Sequence, residues 1–550
     1  MSAADTDLVV DAQPKPAGFR AAMTQLHSWA GVVIGAILFA VFWFGTLTVF
    51  VYEIDRWMKP ETRLPNPATT IDIDETFAAI RAANSDNPIE EVSILLPNSR
   101  KPYIQYFSFS ETGGFGFHRL NPTTYESMPE EGSHGASGFL YPMHVMLYLP
   151  GLIGWWIVLF AALTMMMMLI TGVVIHRKII ADFFTFRPQK RIRRSSLDLH
   201  NVVGTLFLPF HFLIVFSGLA VWGGFYASYP WTLLQNSFDI HTVELFNEAD
   251  AYGMYPTEPE LTGIAKPTVA IGPLVARAEA IWSERYGEDS RADRLEVHGI
   301  GDTNAQVNVY RSFPERRMEA FRDQVVFNGS SGALVMDYVP GPVQTARSWL
   351  SGLHLINFNH WSLRWLYFIA GLSGCLLIAT GFVFWCAARQ KKHLVTQPLN
   401  VRLVESLTIG SVLGVMLATA TFFVANRVLP DSASWLSFDR AGLEVLAFFS
   451  TWLFAFVHAV ARGRAAWHEQ AWAISAACIA AVLLNALTTG DHPLGAIRQG
   501  QWAVAGMDIV LLAFAAIATT FSARVRPSGM TATRTARASD NQTTPTVVAR

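Results

Sequence analysis

The sequence predicts an all-α polytopic membrane bundle of about eight transmembrane helices that carries two outer α+β domains. Three observations lead there. Of 550 residues, 51% are hydrophobic and only 15% charged, a balance that a soluble chain of this length, split into several domains, does not show. Apolar stretches of about 18 or more residues recur, each long enough to cross the hydrocarbon core as a helix. Two long polar segments between them alternate helical and strand-like patterns. The net charge of −2 says little about partners, because a membrane sorts charges by side, and no nucleic-acid partner is expected.

Taken in order, residues 1–28 read as a polar cytoplasmic N-terminus without a cleavable signal, leading into an uncleaved first span at 29–52. Residues 53–143 form the first outer domain, with "IDETFAAIRAAN" at helical spacing before strand-like "EEVSILLP" and "KPYIQYFSFS". A pre-helix and the second span occupy 144–175, a basic loop 176–199, and the third span 200–223. The second outer domain, 224–352, places the amphipathic "PLVARAEAIWSERYG" before "ADRLEVHGI", "NAQVNVYRSF" and "RDQVVFNGSSGALVMDY". Turn punctuation such as "NPTT" and "NGSSG" closes the strands. A pre-helix and the fourth span follow at 353–387. A C-terminal extension at 388–526 holds spans at about 404–425, 441–461, 470–488 and 502–522, and the Thr-, Ala- and Arg-rich tail at 527–550 is expected to be disordered.

Lysines and arginines set the orientation. "HRKIIADFFTFRPQKRIRRSS", "ARQKKH", "ARGRAAWHEQ" and "SARVRP" follow the four even-numbered spans. Both termini and these loops are therefore expected in the cytoplasm, and both α+β domains outside. The chain also repeats itself. "LHSWAGVVIGAILFAVFWFG" in span one aligns with "LHNVVGTLFLPFHFLIVFSG" in span three, so that His27 matches His200 and Gly45 matches Gly218. His144 precedes Thr171-Gly172 much as His354 precedes Thr380-Gly381. Spans one to four thus read as two copies of a helix, outer domain, helix unit, and the last four spans show no such echo.

Cys375, Cys386 and Cys478 lie in apolar runs without a CxxC pair, which leaves them as packing residues rather than a disulfide or thiolate site. Histidines are more informative, since ionisable groups inside a membrane are costly. On a continuous helix the eleven residues from His200 to His211 return the side chain to within about 20°, roughly 16 Å along the axis. One helix then presents two imidazoles to one groove at two depths, the geometry of a helix serving two stacked haems, each wanting two neutral imidazoles. His27 and His176 stand at the cytoplasmic depth, and His144 and His354 at the outer one. The blander reading makes each an interfacial residue bonded to backbone or headgroup. His360 is an alternative ligand beside His354, and His458 reads as packing. The Met165–Met168 run points all round its helix and reads as packing, and Asp198 reads as an N-cap. No GxGxxG after a strand, P-loop or flavin-binding segment is present, so electrons would come from a quinol or a separate cytoplasmic donor.

"LHSWAG" at His27, "TGVVIHRKIIADFFTFRP" around His176, "LDLHNVVGTLFLPFHFLIVFSGL" and "GLHLINFNHWSLRWLYFIAGLSGCLLIATGFVFW" from Gly352 resemble the PepSY-associated transmembrane family, also called iron-regulated membrane proteins. The resemblance covers roughly residues 20–392, and both outer segments look like PepSY domains. It implies a bacterial inner-membrane b-type cytochrome, similar to siderophore reductases that bind two haem b groups and reduce ferric iron in chelates. The family's motif histidines fall here on His27, His144, His176, His200, His211 and His354. Two bis-histidine haems need only four of these. The inner haem would take two of His27, His176 and His200, and the outer haem His211 with His144 or His354. "NFNHWS" replaces a glycine-rich run, which leaves His354 against His360 open. The expected partners are the bilayer, a ferric siderophore or other ferric chelate, and the electron donor; no catalytic residue is assigned. The rival readings are a non-catalytic scaffold or sensor that regulates a periplasmic partner, and a metal transporter.

Overall fold

A bilayer core offers no water to backbone N–H and C=O groups, so long apolar runs must satisfy them internally, as helices. The computed structural model describes residues 18–65, 71–110, 114–129, 132–176, 187–188, 191–222, 259–287, 290–311, 323–339, 341–390 and 399–525. The expectations for the N-terminus, the tail and most of the basic loops after the second and fourth spans lie outside these residues. Seven described helices are long and apolar enough to cross a membrane, eight if one pair bent at a short break counts as a single span.

The first half runs α1 (Phe19–Thr48), α2 (Val51–Met58), α3 (Ile73–Ala83), β1 (Glu91–Leu95), β2 (Ile104–Ser110), β3 (Gly114–Leu120), α4 (Tyr141–Met146) and α5 (Ile153–Ile175). The second repeats the plan: α6 (Ile192–Leu206) and α7 (Leu208–Val221), α8 (Gly272–Tyr286), β4 (Ala292–His298), β5 (Gln306–Arg311), β6 (Gln324–Asn328), β7 (Leu334–Tyr338), α9 (Pro342–Leu355) and α10 (Trp361–Gln390). Each half is therefore a long helix, an outer α+β segment, a short helix bearing one histidine, and a second long helix.

The third span departs from expectation. It bends by 65° between α6 and α7, because Pro209 in the first turn of α7 has no N–H to continue the ladder and α6 closes on Phe207 instead. The arithmetic that puts His200 and His211 in one groove requires a straight helix, and that premise fails. Asp198 is also not an N-cap. It lies inside α6, where its carboxylate accepts from Arg187 at 2.9 Å and from Arg194 at 3.1 Å.

The two outer segments are not separate domains. Their strands form one seven-stranded sheet in the order β3-β2-β1-β4-β5-β6-β7. The join is the antiparallel β1–β4 pair, with Val92 opposite Val297 and Ile94 opposite Leu295. Alone, each segment would leave a strand edge bare, and pairing covers both. The two segments also share a core in which Ile80 of α3 and Trp282 of α8 lie with Ile94, Leu295, Val307 and Phe327.

The extension consists of α11 (Leu399–Val428), α12 (Arg440–Arg462), α13 (Ala465–Thr489), α14 (Pro493–Arg498) and α15 (Trp502–Arg524). It clasps the first half through polar contacts. Trp57 donates its indole N–H to Asp508 at 2.8 Å, Trp43 donates to Thr419 at 3.0 Å, and Arg63 pairs with Asp491. Cys375, Cys386 and Cys478 are free and buried, and Met165 and Met168 pack in an apolar cluster with Leu38 and Val203, as packing residues do.

Candidate functional site

Four imidazoles meet as two pairs, each joining equivalent positions of the two halves. His27 on α1 faces His200 on α6, with ring centroids 6.4 Å apart and planes at 88°. His144 on α4 faces His354 on α9 at 6.1 Å and 21°. His27 and Gly45 stand eighteen residues apart on the unbroken α1, and His144 packs on Gly45. The pairs are therefore separated by about 27 Å of helix axis.

Each of the four rings is held by its Nδ1. His200 Nδ1 lies 2.9 Å from Leu377 O, His144 Nδ1 2.9 Å from Val41 O, and His354 Nδ1 2.9 Å from Ile214 O. A carbonyl can only accept, so each Nδ1 carries the proton. His27 Nδ1 lies 3.0 Å from Thr171 Oγ1. That hydroxyl already donates to Met167 O at 2.9 Å, which leaves it to accept from His27 as well. All four rings are thus the Nδ1–H tautomer, and all four Nε2 atoms keep a lone pair. An outer partner on Nδ1 that frees Nε2 is how proteins orient metal-ligating histidines.

Glycines cradle the rings. A Cβ added at Gly45 would stand 2.7 Å from His144 Cε1, and one at Gly218 2.6 Å from His354 Cε1. At Gly172 and Gly381 the corresponding distances, to His27 and His200, are 3.4 and 3.3 Å. Between and around His144 and His354 lies a cavity of about 500 Å³, lined also by Gly45, Gly218, Met165 and Tyr367. Cofactor sites span roughly 300–1,000 Å³.

This arrangement fits an iron porphyrin. Each pair sets two imidazoles opposite one another, ring centres 6.4 and 6.1 Å apart and Nε2 lone pairs free, and neutral imidazole is a donor that suits haem iron. Among the described residues no three or more His, Cys, Asp or Glu side chains gather as a metal-binding group, so the imidazoles stand as pairs.

The other expected ligands lie elsewhere. His211 is fully buried and joins neither pair. Its Nε2 lies 3.1 Å from Ser373 Oγ, which itself donates to Ala370 O at 2.6 Å, and Phe42, Phe207 and Phe210 surround the ring. This is the opposite tautomer to the four paired rings. The expected pairing of His211 with His144 or His354 is corrected accordingly: the bend at Phe207 turns α7 so that Gly218, not His211, meets the outer site. His176 ends α5 with its N–H on Gly172 O at 3.1 Å. His360 is exposed and accepts from Leu363 N–H at 3.4 Å at the start of α10. The groups missed in the sequence are the carbonyl partners and the cradling role of the glycines. The matched His27–Gly45 and His200–Gly218 intervals were the available signal for the latter.

A family model described as PepSY-associated TM region matches residues 24–388. An uncharacterized protein of Pseudomonas aeruginosa is 24% identical over 320 residues, covering 54% of this chain and 74% of its own length. The family match spans both histidine pairs and the shared sheet and stops before α11.

Proposed function

Starting from the fact that the chain belongs to the PepSY-associated TM family, we propose that it is a di-haem b-type electron-transfer protein of the bacterial inner membrane. In this reading the sheet lies in the periplasm and both termini in the cytoplasm, and electrons from a quinol or a separate cytoplasmic reductase reach ferric iron held in a siderophore or another ferric chelate. The observation that carries the reading is the pairing of four Nδ1-anchored imidazoles, two by two, with ring centres 6.4 and 6.1 Å apart.

His27 and His200 would hold the inner haem, and His144 and His354 the outer one. Bound there, the two haems supply one-electron carriers at two depths of the bilayer. The chain's own part is orientation and exclusion. The Val41, Leu377 and Ile214 carbonyls and the Thr171 hydroxyl hold the rings through Nδ1, which leaves Nε2 free on each. Gly45 and Gly218 let helices α1 and α7 approach the His144 and His354 rings closely at the cavity wall. Oxygen-rich chelators hold Fe(III) far more tightly than Fe(II), so a single electron delivered at the outer face releases the metal without the chelate entering the membrane.

The test is spectroscopic. Purified protein should show b-type bands on dithionite reduction, with two haems per chain. His27→Ala or His200→Ala should remove one haem, and His144→Ala or His354→Ala the other. His211→Ala should keep both. A colourless preparation defeats the proposal, as does loss of a haem on changing His211 with the four paired histidines intact.

A further inference from the structure

One turn of the outer sheet reaches into the bundle. In "PNSRKP", between β1 and β2, Asn98 Oδ1 accepts from the backbone N–H groups of Arg100 and Lys101, both at 3.0 Å, and the Asn98 N–H bonds Lys101 O at 2.8 Å. The closed turn aims Arg100 inward, where it is 7% exposed.

Its guanidinium then bridges three elements. Nε and Nη2 donate to the Glu53 carboxylate of α2 at 3.2 and 3.3 Å. Nη2 also donates to Val49 O at 3.2 Å, and Nη1 to Ile356 O at 3.2 Å. Arg364, at the start of α10 and 1% exposed, supports the same carboxylate at 2.5 Å and the same Val49 carbonyl at 3.3 Å. Burial alone would raise the Glu53 pKa, but the Arg100 and Arg364 charges outweigh it and hold the carboxylate below its ordinary value. The neighbouring Ser99 accepts from Asn359 Nδ2 at 3.0 Å, inside the "NFNHWS" stretch after His354.

The two carbonyls that Arg100 holds belong to the mounts of the outer pair. Ile356 follows His354 by two residues and ends α9 in the left-handed region, at φ 54°. A β-branched residue resists that conformation, which persists only where the surroundings over-determine it. Val49 follows Gly45, the cradle of His144, by four residues. His27 and His200, about 27 Å away along α1, have no such tie to the turn.

We propose that Arg100 is a positioning residue that ties the outer sheet to the His144–His354 pair and sets the geometry of that pair. The inference rests on the di-haem reading and adds a mechanical link between the outer domain and one of its two sites.

Arg100→Gln and Arg100→Lys variants of the full chain test it by electron paramagnetic resonance of the ferric protein and by redox titration, with His354→Ala identifying the signal of the outer haem. Arg100→Gln should shift the low-spin signal and midpoint potential of the outer haem and leave the inner haem at wild-type values. Arg100→Lys keeps a charge beside Glu53 but loses the simultaneous reach to both carbonyls, so it should shift the same signal by less. Two haems with both signals unchanged, or both shifted alike as general loosening would produce, overturn the role of Arg100. If Arg100→Gln fails to fold, Arg100→Lys decides alone: an outer signal at its wild-type position overturns the inference. A wild-type chain without haem defeats instead the reading beneath it.

Discussion

His27 and His200 stand on helices of 30 and 15 residues, whereas His144 and His354 stand on helices of 6 and 14 that end in left-handed Leu147 and Ile356. Ring spacing and Nδ1 chemistry are common to both pairs. The inner pair stands in helix interiors, with its rings held by the Thr171 hydroxyl and the Leu377 carbonyl. The outer pair stands in the last turns of its helices, beside those left-handed residues, with Gly45 and Gly218 against its rings. The same Nδ1 chemistry is thus mounted mid-helix at one end of the bundle and at helix ends on the side that carries the sheet.

The largest expected effect separates the two mounts through their glycines. A Cβ at Gly218 would stand 2.6 Å from His354 Cε1, whereas one at Gly172 would stand 3.4 Å from His27 Cε1. Gly218→Ala must push the outer imidazole aside, and overpacking of this kind costs about 1–3 kcal/mol. In helices, alanine is otherwise favoured over glycine by about 1 kcal/mol, so the chain should still fold. The expected outcome is one haem per chain in Gly218→Ala and two in Gly172→Ala, read by pyridine haemochrome quantitation. Equal occupancy in the two variants would erase the distinction drawn between the sites.

A smaller effect acts on the inner pair only. Thr171 holds His27 through a side-chain hydroxyl, whereas the Nδ1 atoms of His144, His200 and His354 each lie 2.9 Å from a backbone carbonyl, with Ser217 Oγ a further 3.3 Å contact of His354. Thr171→Val keeps the shape and removes the hydroxyl acceptor of His27, leaving the Met168 carbonyl as its remaining partner. Loss of such an outer partner costs roughly 10–100-fold in metal affinity. Titration of apo-protein with haem should show the inner site weakened by that order and the outer site unchanged. Weakening of both would mean that the sites are not mounted independently.

How far these sites were legible in the sequence follows from what each feature depends on. Apolar length announced the seven helices long enough to span and the bent pair between them, because in a bilayer a run of that length has only the helix to adopt. The repeat of His27 and Gly45 by His200 and Gly218 announced that four histidines belong to two equivalent halves. The ring partners were not legible, because Val41, Leu377 and Ile214 contribute carbonyls, which every residue has. The His211 assignment failed at Pro209: a proline in an apolar span signals a break, and treating α6 and α7 as one straight helix carried the imidazole to the wrong groove. The single sheet was hidden for a different reason. Strand patterns reveal which residues are buried, but the β1–β4 pairing joins residues some two hundred positions apart, and edge-to-edge pairing leaves no local mark. Arg100 reads locally as a solvated turn residue, and only its neighbours in space make it a bridge.

The smallest expected effect lies at that β1–β4 join, on which the outer mount depends. His298 on β4 stands directly opposite Glu91 on β1, with Nδ1 3.5 Å from the carboxylate. Its pKa is raised above 6.5, first by the hydrogen bond to Glu296, with burial opposing and the charge of Glu91 adding to the rise. A group whose folded-state pKa is raised contributes stability that is fully present below its unfolded value and is lost as pH climbs through the folded one. The sheet should therefore loosen at its central seam as pH rises above about 6.5. The pair is partly exposed and its gain is screened, so a loss of under about 1 kcal/mol is expected. Hydrogen exchange at the β1 and β4 amides, corrected for the intrinsic pH dependence of exchange, should report it. His298→Gln should flatten that dependence, while the spectrum of the inner haem stays constant over the same range. Exchange at the seam that is insensitive to pH in the wild-type chain would show that the two halves of the sheet are held by their apolar core, Ile94 against Leu295 and Val92 against Val297, without help from the imidazole.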